Sequence, residues 1–106
     1  MQARYIHDGK AIDFLSETAI PAGTVVVVEE LVGITKLDLE ANRLGALHVV
    51  GVYDVAKGDG EIALGKKVYW DETEQKAVTT AGTNKPLGIA VLKAEADATV
   101  VRVRLS

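Results

Sequence analysis

Residues 60–67, Gly-Glu-Ile-Ala-Leu-Gly-Lys-Lys, carry the Gly-x4-Gly-Lys spacing of a phosphate-binding loop. In such a loop the residue after the lysine is Ser or Thr, whose hydroxyl holds Mg²⁺, but here that residue is Lys67. The carboxylate of Glu61 would repel phosphate, and the apolar residues after it are typical of a strand rather than of a helix start. The segment therefore predicts two turn glycines on either side of an extended piece, and no nucleotide site.

The histidines and serines give no support for metal or nucleophilic chemistry. His7 and His48 are the two histidines, and neither has a second ligand at metal spacing. The chain contains no cysteine, so a zinc site would need both histidines and distant carboxylates. Ser16 has no Gly-x-Ser-x-Gly elbow around it. We therefore predict a protein that is not an enzyme, with no catalytic residue, no metal and no cofactor.

The length and composition of the chain indicate its domain organisation and the class of secondary structure that positions these residues. A chain of 106 residues predicts one domain over residues 1–106, large enough to bury a core without disulfides. Apolar residues make up 48% and aromatic residues 5%, and the abundance of Val and Ala favours thin β layers over a core filled with rings. No run approaches the roughly 18 apolar residues of a membrane span, and the N-terminal segment does not have the pattern of a signal peptide.

The charge balance weighs against non-specific binding of nucleic acid. Lys plus Arg total 12 against 15 for Asp plus Glu, which gives a sequence pI near 5.3. A protein that binds the phosphate backbone without sequence preference needs a basic face. We therefore expect no nucleic-acid partner.

Residues 65–80 predict a β-hairpin that anchors the core. Val68, Tyr69 and Trp70 are strong strand formers, residues 77–80 supply the return strand, and the polar residues between them form a turn. Alternate residues of a strand share a face, so Val68 and Trp70 point one way while Lys67 and Tyr69 point the other. Trp70 is the only tryptophan, and burying it removes about 200 Å² from water. We predict that Trp70 is the core anchor.

The rest of the chain predicts short strands and no helix of three turns. Strands are expected at residues 5–8, 11–15, 24–28, 31–35, 37–40, 47–55, 87–92 and 99–105. Gly51, inside the sixth of these, marks a bulge or a close backbone approach. Strands that recur every 8–12 residues or so predict an all-β fold, a small β-sandwich or barrel of short antiparallel strands and hairpins.

The last strand places Val101, Val103 and Leu105 on one face. Its other face carries Val100, Arg102 and Arg104. The two arginines are either plain solvent residues or partners of acids on a neighbouring subunit. We favour the second interpretation, because Val100 beside them would otherwise be exposed.

The second half of the chain resembles a family of small tailed-phage and prophage proteins described as capsid decoration or cement proteins. The matching stretches are Gly-Val-Tyr-Asp-Val at 51–55, Gly60, Leu-Gly-Lys-Lys-Val-Tyr-Trp-Asp at 64–71, Val-Thr-Thr at 78–80, Leu-Gly-Ile-Ala at 87–90 and Val-Arg-Val-Arg-Leu at 101–105. The resemblance is mainly over residues 49–105. The first half agrees in layout, through Pro-Ala-Gly at 21–23 and Val-Gly-Ile at 32–34.

The resemblance implies a compact β fold, a homotrimer and binding to the outside of a phage head. The expected function is that of a virion structural protein that decorates and stabilises the capsid, is usually encoded beside the major capsid protein, and has that protein as its partner. The implied location is the outer capsid surface, after synthesis in the bacterial cytoplasm. No membrane and no small-molecule substrate are expected. Candidate subunit or capsid contacts are Tyr69, Val100, Arg102 and Arg104.

A different class of function stays open at this stage. Lys66 and Lys67 beside Tyr69 are a pattern found in nucleic-acid stacking sites, although a basic pair is also typical of a solvated sheet edge. The alternative is a small β-barrel binding module for peptide, sugar or nucleic acid.

Overall fold

The computed structural model describes residues 1–105, which form nine strands and contain no helix. The strands are β1 Ala11–Leu15, β2 Val25–Val28, β3 Leu31–Ile34, β4 Leu44–His48, β5 Gly51–Ala56, β6 Lys67–Asp71, β7 Lys76–Val78, β8 Lys85–Ala90 and β9 Val100–Leu105. Among these residues no membrane-spanning helix is found. The prediction of an all-β fold is confirmed.

Two antiparallel sheets pack as a sandwich rather than a closed barrel. The first sheet has the strand order β1-β4-β3-β2, and the second has the order β5-β9-β8-β6-β7. Each sheet is built from one uninterrupted half of the chain, so a single crossing at Val49 and Val50 joins them.

The crossing makes the prediction of one strand over residues 47–55 wrong. The chain leaves the first sheet after His48 and enters the second at Gly51, which has a φ of 117°. A Cβ at Gly51 would lie 3.2 Å from Cε1 of Tyr53, whose hydroxyl donates to the carbonyl of Val50 at 3.1 Å. Gly51 therefore marks neither a bulge nor a close backbone approach inside a strand: it begins β5, and the Tyr53 ring packs against it.

Two further strand predictions are wrong. Residues 5–8 are exposed and contain no strand. Residues 37–40 contain only an isolated bridge between Leu39 and Ile20, and Leu37 is 76% exposed whereas Leu39 is 7% exposed. A strand would place both leucines on one face. Instead the carboxylate of Asp38 accepts a hydrogen bond from the amide of Ala22 at 2.8 Å, which ties the segment to a neighbouring loop.

Strand boundaries also shift around a proline. The strand predicted over residues 87–92 begins earlier, at Lys85, and ends at Ala90. Pro86 has no N–H to donate to a ladder, and it lies opposite Tyr69, where the register between β6 and β8 shifts between Val68 and Tyr69. The shift thus occurs at the position that lacks a donor.

The core lies between the sheets, and the second sheet contributes most of it. Its members with large side chains are Val32 and Ile34 from the first sheet, Val55, Val68, Trp70, Leu87, Val101, Val103 and Leu105 from the second, and Ile62 from the segment before β6. Trp70 is 7% exposed. Strand β9 alternates between buried and exposed residues along its whole length, as its sequence predicts.

Lys57 links the edges of the second sheet. It forms a parallel bridge with Ala77, which brings the end of β5 beside β7 without a full ladder. Its side chain is buried, and the residue is 5% exposed. The ammonium donates to the carbonyls of Gly58, Ala96 and Ala98 at 3.0, 3.2 and 3.5 Å, so the charge is solvated by backbone oxygens.

Candidate interaction surface

The four contact residues chosen from the sequence share the outer face of the second sheet. Strand β6 buries Val68 and Trp70, so Tyr69 between them faces outward and is half-buried. Strand β9 buries its alternate residues, which leaves Val100, Arg102 and Arg104 exposed. Strands β6 and β9 both flank β8, so these side chains lie on one surface.

Arg102 forms an ion pair with an acid of its own chain. Asp54 on β5 lies directly opposite Arg102 on β9, and the two make a bidentate pair with Nε–Oδ1 at 2.9 Å and a second nitrogen at 3.2 Å from Oδ2. The hydrogen bond from Arg102 lowers the pKa of the Asp54 carboxyl, and the same bond raises the pKa of Arg102. Arg102 thus has an acid partner in its own chain, and its pairing with an acid on a neighbouring subunit stays a prediction.

One row of residues crosses the outer face from strand to strand. The registers place Lys67 opposite Ile89, Ile89 opposite Arg104, and Arg104 opposite Val52. We call these four residues the crossing row. Alternation along the strands gives no signal for this row, because it depends on the order and register of four strands.

A shallow apolar hollow lies beside the crossing row. Tyr69, Pro86 and Ile89 line it together with Gly88 and the stem of Lys67. A Cβ on Gly88 would overlap the carbonyl oxygen of Arg104, so β8 and β9 approach closely here. The sequence gives no signal for Pro86 and Ile89 as contact residues, since the predicted strand over residues 87–92 begins after Pro86 and contains Ile89 as an ordinary member.

A second exposed apolar surface lies on the first sheet. Leu15 and Leu44 are opposite each other on β1 and β4, and both are exposed. The same face carries Ala46 and His48, and the exposed Leu37 borders it. Strand β4 pairs with β3 at a single position, so β1 and β4 form a two-stranded ribbon at the edge of the fold. We call this surface the ribbon face.

The largest cleft lies between the sheets and has little to offer catalysis. Val27, Tyr53, Asp54, Trp70, Glu72 and Gln75 are among the residues that line it. None of the lining residues is a histidine, cysteine, serine or lysine, and the carboxylate of Asp54 is held by Arg102. In the part of the chain that the structure describes, no group of three or more His, Cys, Asp or Glu residues could hold a metal ion.

Residues 60–67 do not form a phosphate cradle. Gly60 and Gly65 have φ values of 94° and 86°, typical of turns, and Ile62 between them bridges to Ala94. Strand β6 begins at Lys67, where a phosphate-binding loop would open a helix. The two turn glycines are thus as the sequence predicts.

Comparison with protein families gives a match over residues 6–105, to the family described as phage cement protein. The chain belongs to the phage cement protein family. The match extends the resemblance seen in residues 49–105 to nearly the whole chain. Searches of curated proteins and of solved structures give no significant match.

Membership of the cement protein family decides the class of function. Cement proteins are structural and non-enzymatic, so the expectation that the chain is not an enzyme is confirmed by its family. The family also implies association with the capsid and a location on the virion. The contact surfaces above therefore matter more than any cleft.

Proposed function

We propose that the protein decorates the outer surface of a tailed-phage capsid as a homotrimer and stabilises the shell by binding the major capsid protein. The observation that carries the proposal is the family match over residues 6–105. A cement protein binds the same site many times on a shell, so it needs a rigid scaffold and a contact face. Two sheets packed around one core supply the scaffold.

A trimer strengthens such binding through avidity. Once one subunit is bound, the others bind as if at high local concentration, so three weak contacts hold tightly when the geometry matches. A trimer on a three-fold axis of the shell meets this condition. Closed cyclic symmetry presents each contact patch at equivalent positions.

The ribbon face supports self-association. Its outward residues on β1 and β4 are Ala11, Asp13, Leu15, Leu44, Ala46 and His48, of which only Asp13 carries a formal charge at neutral pH. A two-stranded ribbon is marginally stable by itself, and this one joins the rest of its sheet through one residue pair. A neighbouring subunit that covers Leu15 and Leu44 would bury apolar surface and support the ribbon.

Two measurements test the proposal. Sizing with light scattering should give a mass of three times 11.3 kDa. The purified protein should also bind expanded, undecorated heads built from the major capsid protein encoded with it. A monomer that does not bind these heads would contradict the proposal.

The alternative of a binding module has one observation in its favour. Lys67, Tyr69 and Arg104 share the outer face of the second sheet, which is the combination of cation and ring used by proteins that bind single strands. Retention on an oligonucleotide column at low salt, lost in Tyr69→Ala, would support this function.

A further inference from the structure

Within residues 1–105, three cations of the second sheet and its loops form salt bridges with acids of this chain. Arg102 pairs with Asp54, Lys85 with Glu30 at 3.1 Å, and Lys93 with Glu61 and Glu95. Buried Lys57 is held by three carbonyls, and neither Lys66 nor Lys76 forms a salt bridge within the described residues. Several cations on this part of the molecule therefore have no acid partner among residues 1–105.

The crossing row contains two such cations. Among residues 1–105, no carboxylate lies within salt-bridge distance of Lys67 or Arg104. Both residues are exposed, and they lie in the same row on either side of Ile89. The row thus concentrates positive charge on a chain whose formal net charge is −3.

The same surface supplies an apolar contact area. Ile89, Tyr69 and Pro86 form the hollow beside the row, and exposed Val52 continues the apolar area beyond Arg104. An apolar centre with charged groups around it is the usual anatomy of a specific protein interface. An aromatic ring and an arginine are also the residue types that contribute most to binding.

The positive charges of Lys67 and Arg104 favour a partner with an acidic surface. An acidic surface is repelled by the formal net charge of −3 and attracted locally by the two cations of the row, which favours one orientation of approach. Two-fold packing of the row on itself would bring like charges together, and contact between copies in the proposed trimer is assigned to the ribbon face. The nearly uncharged ribbon face suits contact between copies better.

We propose that the crossing row and its hollow are the face that docks on the capsid shell, and that the shell surface beneath carries carboxylates around an apolar contact. This inference rests on the proposed function and makes it more specific. Of the contact residues chosen from the sequence, the proposed docking face includes Tyr69 and Arg104. Arg102 is satisfied by Asp54 and serves to hold β9 against β5.

The test compares two charge-reversed double variants in binding to expanded, undecorated heads. Lys67→Glu with Arg104→Glu reverses the row. Lys10→Glu with Lys36→Glu is the matched control, because it makes the same change in net charge at exposed lysines outside the second sheet. Cosedimentation over a series of salt concentrations gives the apparent Kd.

We expect the row variant to bind at least about tenfold more weakly than wild type, and the control to stay within about twofold. Wild-type binding should weaken as salt rises, and that salt dependence should be smaller in the row variant. The apparent Kd of the neutral double variant Lys67→Gln with Arg104→Gln should lie between the Kd of wild type and that of the charge-reversed row variant. It also provides a second test if the reversed variant folds poorly, which circular dichroism would reveal.

The possible failures are distinguishable. If wild type does not bind the heads, the proposed function fails. If wild type binds and the row variants bind equally well, the docking face is wrong while the function stands. A row variant that loses its oligomeric mass would place the row between copies, and oligonucleotide retention that only the row variants lose would assign it to nucleic acid. Either result overturns the inference.

Discussion

The carboxylate of Asp54 receives two hydrogen bonds from the guanidinium of Arg102, across adjacent strands of one subunit. The two residues are 48 positions apart in sequence and directly opposite in register. The pair therefore favours one alignment of β9 on β5, because a shift of β9 by one residue would turn Arg102 to the other face, away from Asp54.

The Asp54–Arg102 pair should make stability depend on pH in the acid range. The hydrogen bond from Arg102 lowers the pKa of Asp54 from its ordinary value of 3.8, so the folded state favours the ionised carboxylate. The stabilisation is fully present above pH 3.8 and is lost as pH falls through the lowered pKa. We expect Asp54→Asn to be less stable than wild type at pH 7, with a difference that closes on acidification.

Urea midpoints measured from pH 7 to below pH 3 would check this behaviour. Asp97→Asn, at an exposed acid that makes no salt bridge among residues 1–105, is the control. Stability curves for wild type and Asp54→Asn that stay parallel throughout would show that the pair contributes no such linkage.

Trp70→Ala should be strongly destabilising. The indole lies in the core between the sheets, and its removal leaves a large cavity beside residues such as Val68 and Leu87. We expect a loss of about 3–5 kcal/mol in the free energy of unfolding, measured by denaturant titration. The neighbouring change Tyr69→Ala, on the outer face, should cost less. Melting like wild type would mean that Trp70 does not anchor the core.

Lys57→Met should destabilise the junction between β5 and the loop over residues 94–99. Methionine keeps the length of the side chain but leaves the carbonyls of Gly58, Ala96 and Ala98 without their donor. We expect a loss of about 1–3 kcal/mol in unfolding free energy. The control is Lys66→Met at an exposed lysine, expected within about 0.5 kcal/mol of wild type. Equal stability of the two variants would show that water replaces the ammonium at no cost.

Leu44→Glu should break the proposed trimer. Leu44 is 69% exposed on the ribbon face, and a carboxylate there cannot be buried against a neighbouring subunit without a large desolvation cost. The matched control is Leu64→Glu, because Leu64 is 66% exposed and lies in the turn before β6. Light scattering should give one subunit for Leu44→Glu and three for the control. A trimer that survives Leu44→Glu would remove the ribbon face from the interface.

The parts of the fold that sequence predicts well are those held together locally. The hairpin of β6 and β7 follows from strong strand formers on either side of a polar turn, and β9 follows from strict alternation. The crossing at Val49 and Val50 was missed because apolar residues continue through it, and only the packing of two sheets decides where a strand ends.

The sequence predicts only part of the candidate surface, because the rest depends on which strands pack together. Alternation gives the outward direction of Tyr69 and Arg104, since it needs only their own strands. It gives neither the acid partner of Arg102 nor the place of Ile89 between Lys67 and Arg104. Both depend on which strands become neighbours, and that information lies in contacts between distant parts of the chain.

The position of β9 between β5 and β8 has a consequence for biosynthesis. During translation the first sheet is synthesised first, while Val32 and Ile34 have no second sheet to cover them. Strands β5 and β8 are synthesised next, before the strand that lies between them. Folding must wait for Val100–Leu105 to leave the ribosome. A nascent fragment released before that point has no Arg104 and a divided second sheet, so under the proposed docking face it would lack one of the two cations that bind the shell.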